Sequence, residues 1–197
     1  MTVNRQVLLR ERPTGIAQAN HFEIVETGIP DPGPGQILIR NAFLSVEPAM
    51  RGWIADTGNY SAPVPIGSVM RSLAAGTVMK SCSPDFAEGD QLSGWFGWQD
   101  FACVEAGAIV RKVKESDLPL SLSLGVLGIN GVTAHLALTK IGAPKSGDTV
   151  LVSTAAGAVG SAAGQIARIL GCRTVGIAGG AQKVRECLDT FGYDAAI

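Results

Sequence analysis

The sequence has few charged residues, and the two signs of charge nearly cancel. Charged residues make up 17% of the 197 residues, and 16 Lys and Arg against 17 Asp and Glu give a formal net charge of −1. Such a balance produces no field strong enough to gather nucleic acid or an anionic membrane. Hydrophobic residues make up 46% of the chain. That share supplies a packed core and excludes a disordered protein.

Cysteine and histidine are also scarce, and they form no recognisable cluster. No C-x-x-C pair is present, and neither histidine lies near a cysteine in the sequence. We therefore expect no bound metal. The first residues do not resemble a signal peptide, so we expect reduced thiols and a cytoplasmic protein. The residues concerned are Cys82, Cys103, Cys172, Cys187, His21 and His135.

Long uninterrupted apolar runs are absent as well. Residues 118–139 and 149–167 carry no charge, but each is broken by several glycines and polar residues. Neither stretch is typical of a helix in lipid, and both are better explained as buried core of a globular protein.

The first part of the chain is rich in turn-forming Pro and Gly, with short β-type runs between the turns. Several short strands separated by such turns predict a small barrel or sandwich. The predicted strands cover residues 6–10, 22–26, 36–43, 75–79, 91–96 and 102–105.

From about residue 120 the pattern changes to alternating strands and helices. The β-branched run Thr149–Ser153 is typical of a central parallel strand, and a helix, a strand over 174–178, a helix over 182–191 and a strand from Ala195 follow. This β-α-β-α-β order predicts an α/β fold whose second domain is the first half of a doubly wound dinucleotide-binding sheet. We expect domains at 1–120 and 121–197, and a chain that is a fragment or truncated relative of a longer protein.

The first helix of this region is predicted to bury an apolar stripe. The spacing i, i+3, i+4, i+7 is the one that places side chains on a single helix face. The stripe consists of Val159, Ala162, Ala163, Ile166 and Leu170.

A glycine-rich turn precedes that helix and reads STAAGAVGS over residues 153–161. Gly157 and Gly160 occupy the second and third glycine positions of the G-x-G-x-x-G pattern, and Ala155 replaces the first. The pattern lets backbone N–H groups and the positive helix start approach a pyrophosphate. The alternative interpretation is a tight strand-to-helix turn whose small residues serve packing only.

The residues after the second strand favour NADP over NAD. An NAD site usually carries an acid there for the ribose 2′-hydroxyl, whereas residues 178–181 read AGGA. Lys183 follows near the start of the next helix, with Arg185 beyond it, and it could meet a 2′-phosphate. The alternative interpretation of Lys183 is an ordinary solvated helix lysine.

Several motifs together resemble the zinc-independent medium-chain dehydrogenase/reductases, most closely the branch of prostaglandin, alkenal double-bond and curcumin reductases. The resemblance covers the whole chain and implies a GroES-like barrel domain followed by a Rossmann domain. The motifs are EPAMRG at 47–52, GWFGWQD at 94–100, LGVLG at 124–128, GVTA at 131–134, AAGAVGS at 155–161 and GIAGGA at 176–181.

The resemblance implies NADPH-dependent reduction of a C=C bond conjugated to a carbonyl, in a small enone or enal, with hydride delivered to the β-carbon. Tyr60 would act as a catalytic hydrogen-bond donor to the developing enolate, and Thr133 would lie near the nicotinamide. The full-length protein would form a homodimer. Quinone reduction and a non-catalytic dinucleotide-binding relative are the alternatives.

The same resemblance implies which residues hold the cofactor. The pyrophosphate would be held at the turn, and Gly179 and Lys183 would hold the end of the cofactor that carries the 2′-phosphate. The residues implied for the pyrophosphate are Gly157, Ala158, Val159 and Gly160.

The chain departs from the family at a few positions. Ala49 and His135 stand where the family often has tyrosines. Zinc alcohol dehydrogenases carry Gly-His-Glu where this chain reads Gly67-Ser68-Val69, which again predicts no metal. The two lost tyrosines bear on the substrate rather than on the reaction.

Overall fold

The computed structural model describes residues 3–56 and 61–197. The chain divides into two compact units, Met1–Leu124 (unit 1) and Gly125–Ile197 (unit 2).

Unit 1 is built from antiparallel β-structure. The first two strands pair with each other, and the next five form a sheet in the order β6-β3-β4-β5-β7. The strands are β1 Asn4–Leu9, β2 Phe22–Thr27, β3 Gln36–Leu44, β4 Leu73–Ser81, β5 Gln91–Trp95, β6 Phe101–Glu105 and β7 Ile109–Lys112. The helix α1 is one turn, Met50–Trp53, and 3-10 turns lie at Ala19–His21, Ala106–Ala108 and Leu120–Leu124.

Two hydrophobic clusters fill unit 1. One lies on the five-stranded sheet and consists of Ile37, Ile39, Ala74, Val78, Leu92, Phe96 and Ala102. The other joins β1 to α1 and the segment before β4, and it consists of Leu9, Met50, Trp53, Ile54, Val64 and Met70. The six strands predicted for this unit are confirmed, whereas β7 was not predicted.

Unit 2 contains a parallel three-stranded sheet in the order β10-β9-β8. The strands are β8 Thr149–Ser153, β9 Arg173–Ile177 and β10 Ala195–Ala196, and the helices are α2 Ile129–Leu136, α3 Ala158–Ile169 and α4 Ala181–Asp189. One π-helical turn, Ala137–Gly142, continues α2. The predicted β-α-β-α-β order from β8 to β10 is therefore confirmed.

The apolar stripe predicted for α3 is confirmed at its centre and wrong at its two ends. Ala162 is buried, and Ala163 and Ile166 pack against a core cluster. Val159 and Leu170, at the two ends of that stripe, are each 37% exposed. The buried residues of α3 are small: Gly160, Ala162, Gly164 and Ala167. At Gly160 and Gly164 the neighbouring groups lie so close to the helix that no larger side chain would fit.

The neighbour that comes closest is the ring of Tyr193. A Cβ on Gly164 would clash with that ring, and a Cβ on Gly176 in β9 would lie 3.3 Å from its Cδ1. The Tyr193 hydroxyl donates a 2.7 Å hydrogen bond to the carbonyl oxygen of Gly160, and the residue is 4% exposed. Burial raises the pKa of Tyr193 to about 12.

We expect Tyr193→Phe to lower the free energy of unfolding by about 1 kcal/mol near neutral pH, because one buried hydrogen bond is lost. The unfolded phenol titrates near pH 10, so the native chain binds the proton more tightly and should lose stability as the pH rises from about 10 to about 12. Urea unfolding of both proteins across this range measures the difference. A difference that does not shrink with rising pH would contradict this role of Tyr193.

Candidate functional site

The turn between β8 and α3 is fixed by backbone hydrogen bonds. Thr154 has a φ of 53°, in the left-handed region, and its carbonyl accepts a 2.8 Å bond from the N–H of Gly157. The N–H of Ala155 donates to the carbonyl of Ile177 at 3.0 Å. The turn is therefore tied to the carboxyl end of β9 as well as β8, which is where open α/β sheets bind ligands.

Close packing requires glycine at position 160 and leaves little room for a side chain at position 157. A Cβ on Gly160 would lie 2.9 Å from the Cα of Ala155 and would clash with the carbonyl oxygen of Thr154. A Cβ on Gly157 would lie 3.0 Å from the same oxygen. The first turn of α3 thus rests directly against the turn that precedes it.

The start of α3 presents uncapped backbone donors. Gly157 is the N-cap, with extended φ and ψ of −81° and 171°, and no side chain caps the helix. The first N–H groups of a helix have no acceptor within it, and the macrodipole makes this end positive. Ala158 and Val159 are exposed here, while Gly160 is buried. The structure thus brings together the four residues predicted to hold the pyrophosphate.

The end of β9 provides the second part of the site. Ser153 pairs with Ile177 across the parallel strands, so the segment 178–180 leaves the sheet beside the turn. Gly179 is exposed, and a Cβ there would meet nothing within 4 Å. Lys183 is the third residue of α4, is exposed, and has no carboxylate partner among the described residues.

These features fit a phosphorylated dinucleotide. No acid stands between Ile177 and Glu186 to bind a ribose hydroxyl, whereas an exposed ammonium group is available in the first turn of α4. The uncapped start of α3 fits a pyrophosphate. The donor set therefore matches an anion at both places.

The structure describes one of the two other predicted site residues, Thr133, and does not describe the second, Tyr60. Thr133 lies exposed on α2, and its hydroxyl donates to the carbonyl of Ile129 at 2.6 Å, which leaves the oxygen free only to accept. Tyr60, the predicted catalytic residue, lies outside the described residues and stays a prediction.

Tyr193 is the residue at this site that the sequence reasoning missed. Its hydroxyl donates a hydrogen bond to the carbonyl of Gly160, so it stabilises the first turn of α3. The only signal in the sequence was that Gly160 and Gly164 lie four residues apart and therefore share one helix face, which leaves space for a neighbouring group.

The described part of the chain was compared with the requirements of a metal cluster and of a membrane-spanning helix. Within residues 3–56 and 61–197, no group of three or more His, Cys, Asp and Glu side chains is placed to hold a metal ion. Over the same residues, no helix combines the length and apolar character needed to cross a bilayer.

Comparison with known proteins gives a family match over more than half of the chain. A family model described as the N-terminal domain of oxidoreductase matches residues 5–113. The NADPH-dependent curcumin reductase of Escherichia coli (strain K12) is 41% identical over 194 residues, which are 98% of this chain and 56% of the relative. The 2-alkenal reductase (NADP(+)-dependent) of Nicotiana tabacum is 34% identical over 98% of this chain and 57% of its own length.

Solved structures show the same similarity. CurA from Vibrio vulnificus in complex with NADPH superposes with a TM-score of 0.88 at 40% identity, over 98% of this chain and 57% of that one. The expected GroES-like and partial Rossmann architecture is thereby confirmed. This chain spans about half the length of the curated relatives it matches.

We expect Gly160→Ala to lower the free energy of unfolding by about 2 kcal/mol or more, because the added methyl group meets the backbone of the turn. Gly179→Ala is the matched control and should change it by less than about 0.5 kcal/mol, since nothing lies near its Cβ. Urea unfolding of the three proteins measures this. Equal effects of the two substitutions would contradict the close packing described for the turn.

Proposed function

The chain belongs to the zinc-independent medium-chain dehydrogenase/reductases, and on that premise we propose that it serves the NADPH-dependent reduction of a C=C bond conjugated to a carbonyl. The observation that carries the proposal is the start of α3, which no side chain caps and which Gly157 and Gly160 border. The segment that follows β9 lies beside it, and this segment leads to Lys183 without an acidic residue. The similar reductases of Escherichia coli and Nicotiana tabacum, whose names specify NADPH or NADP, support it.

In this proposal the chain's own residues hold the cofactor by its anionic groups. The N–H groups at the start of α3 bind the pyrophosphate, with Gly157 and Gly160 allowing the backbone approach. Gly179 leaves the surface open beside Lys183, whose ammonium group binds the 2′-phosphate. Thr133 is proposed to lie near the nicotinamide.

The bound cofactor would supply a hydride to the β-carbon of the substrate. Negative charge then develops on the carbonyl oxygen, and a neutral hydrogen-bond donor near that oxygen lowers the barrier. We propose Tyr60 as this donor, because a phenol remains protonated at neutral pH. An acid or water then protonates the α-carbon.

The proposed substrates are small enones and enals, the class to which the substrate names of the similar curcumin and alkenal reductases point. We further propose a cytoplasmic location and a homodimer for the full-length protein. The four cysteines are free thiols, which is typical of a reducing compartment.

The test is a titration of the full-length protein with NADPH, followed by an assay of NADPH oxidation with an enal or a quinone. We expect NADPH to bind more tightly than NADH, and the enal to be reduced faster than the quinone. Binding without turnover of either substrate would favour the non-catalytic alternative, and faster turnover of the quinone would favour a quinone reductase. Failure to bind NADPH would overturn the proposal at its first step.

We expect Lys183→Ala to weaken NADPH binding about fivefold and to leave NADH binding unchanged, because an exposed ion pair contributes up to about 1 kcal/mol. Lys145→Ala is the matched control, since Lys145 is an exposed lysine that precedes β8 at the opposite end of the sheet. Calorimetric titration of both variants measures the effect. Equal losses for the two cofactors would remove Lys183 from the phosphate site.

A further inference from the structure

Unit 1 contains an aromatic cavity that the proposed cofactor site does not use. It has a volume of about 450 Å³ and is lined by Trp53, Ser61, Arg71 and Trp95, and we refer to it as the tryptophan cavity. A second cavity of about 250 Å³ shares Arg71 and Trp95 with it. Together they reach the size at which small organic molecules bind to proteins.

The two indoles have different surroundings. Trp53, in α1, is 4% exposed and packs in the cluster with Leu9 and Met70. Trp95, at the end of β5, contacts it edge-on, with ring centroids 5.8 Å apart and an interplanar angle of 65°. Trp95 is 42% exposed. One indole is thus fixed in the core, and the other presents free aromatic surface.

Arg71 is hydrogen-bonded within unit 1, and no carboxylate of the described residues neutralises its charge. Its guanidinium carbon lies 5.4 Å from the centroid of the Trp53 ring. Two of its N–H groups donate to neutral oxygens, the Ser61 hydroxyl at 2.6 Å and the Ala62 carbonyl at 3.0 Å. No carboxylate lies within 4.0 Å of Arg71 in residues 3–56 and 61–197.

A nearby acid has another partner. Asp56, which follows α1 closely in the chain, pairs with Arg12 at 3.3 Å. The side chain of Arg12 also donates to the Ala55 and Val64 carbonyls, which keeps this pair at the end of α1. Arg71 therefore keeps N–H groups available, because a guanidinium has five of them.

Trp53 adds a second unsatisfied donor. Its buried Nε1–H has no acceptor among the residues that the structure describes. A buried donor without an acceptor is unfavourable, and native proteins seldom keep one without a reason. Among the described residues, the tryptophan cavity is lined by hydrogen-bond donors and aromatic surface and by no acidic side chain.

We propose that the tryptophan cavity binds a planar conjugated carboxylate, with the carboxylate on Arg71 and the conjugated part against Trp95. A guanidinium matches a carboxylate in shape and charge, and an exposed indole face suits a flat unsaturated group. A single arginine does not suit a polyphosphate, and a cationic ligand would be repelled. We further identify this ligand with the substrate, an unsaturated carbonyl compound that bears an acid group, and this identification rests on the proposed function. The binding of the carboxylate itself is independent of the proposed function.

The binding test needs no cofactor. Quenching of tryptophan fluorescence in the 197-residue chain is titrated with cinnamate and with its neutral analogue cinnamamide. We expect cinnamate to bind about tenfold more tightly at low ionic strength, as for a charge-assisted hydrogen bond. We expect added salt to weaken cinnamate binding and to leave cinnamamide binding unchanged, a result that requires no variant to fold.

Variants locate the site. Arg71→Gln should raise the Kd of cinnamate about tenfold, to that of the amide, and leave the Kd of the amide unchanged. Trp95→Ala should weaken binding of both ligands. Arg40→Gln is the matched control, because Arg40 is an exposed arginine of β3 that lines a different cavity, and it should change neither Kd.

Three results would overturn this proposal: equal binding of the acid and the amide, an unchanged cinnamate Kd in Arg71→Gln, or the same loss in Arg40→Gln. Failure of the proposed function looks different, since it would appear as missing NADPH binding or turnover while cinnamate still bound at Arg71.

Discussion

The close contact between the Tyr193 ring and the glycine face of α3 is the constraint on which unit 2 depends. Because a Cβ on Gly164 would clash with that ring, this face of α3 carries only small residues. Helices normally gain most of their stability from large apolar side chains on the buried face. On the glycine face of α3 the contact is a close approach instead, in which the hydroxyl of Tyr193 donates a hydrogen bond to the carbonyl of Gly160 at 2.7 Å.

This packing also sets the chemistry at the start of α3. The buried side of the first turn is fixed by Gly160 against Thr154 and Ala155, and no side chain caps the N–H groups at the N-terminal end of the helix. An anion that binds there meets donors that are already oriented, and little ordering is needed on binding. The same small residues therefore serve packing and anion binding, and the two interpretations of the glycine-rich turn do not exclude each other.

Local sequence patterns predicted the strands and turns correctly, whereas contacts between residues far apart in the chain could not be predicted from them. The six strands of unit 1 and the turn ahead of α3 follow from apolar runs and glycine spacing, which are local signals. The stripe predicted on α3 is confirmed at its centre, where Ala163 and Ile166 pack against a core cluster, and wrong at its two exposed ends. The close packing of the glycine face depends on Tyr193, far along the chain, which no local pattern predicts. The pairing of Arg71 with Trp53 joins the segment before β4 to α1, and no local pattern predicts such a contact.

The basic residues of the two candidate sites share one property, which is that neither takes part in an ion pair among the described residues. All five ion pairs among the described residues lie in unit 1, and none includes Arg71 or Lys183. In a chain whose charges nearly cancel, cations left without carboxylates are available to anions from outside. Lys183 is exposed and mobile on its stem, which suits a phosphate at the surface, whereas Arg71 is held by two neutral oxygens beside an indole. If the proposed site binds a carboxylate, the fixed shape of the guanidinium adds to its charge, so selectivity for one carboxylate over another should come from the aromatic surroundings of Arg71.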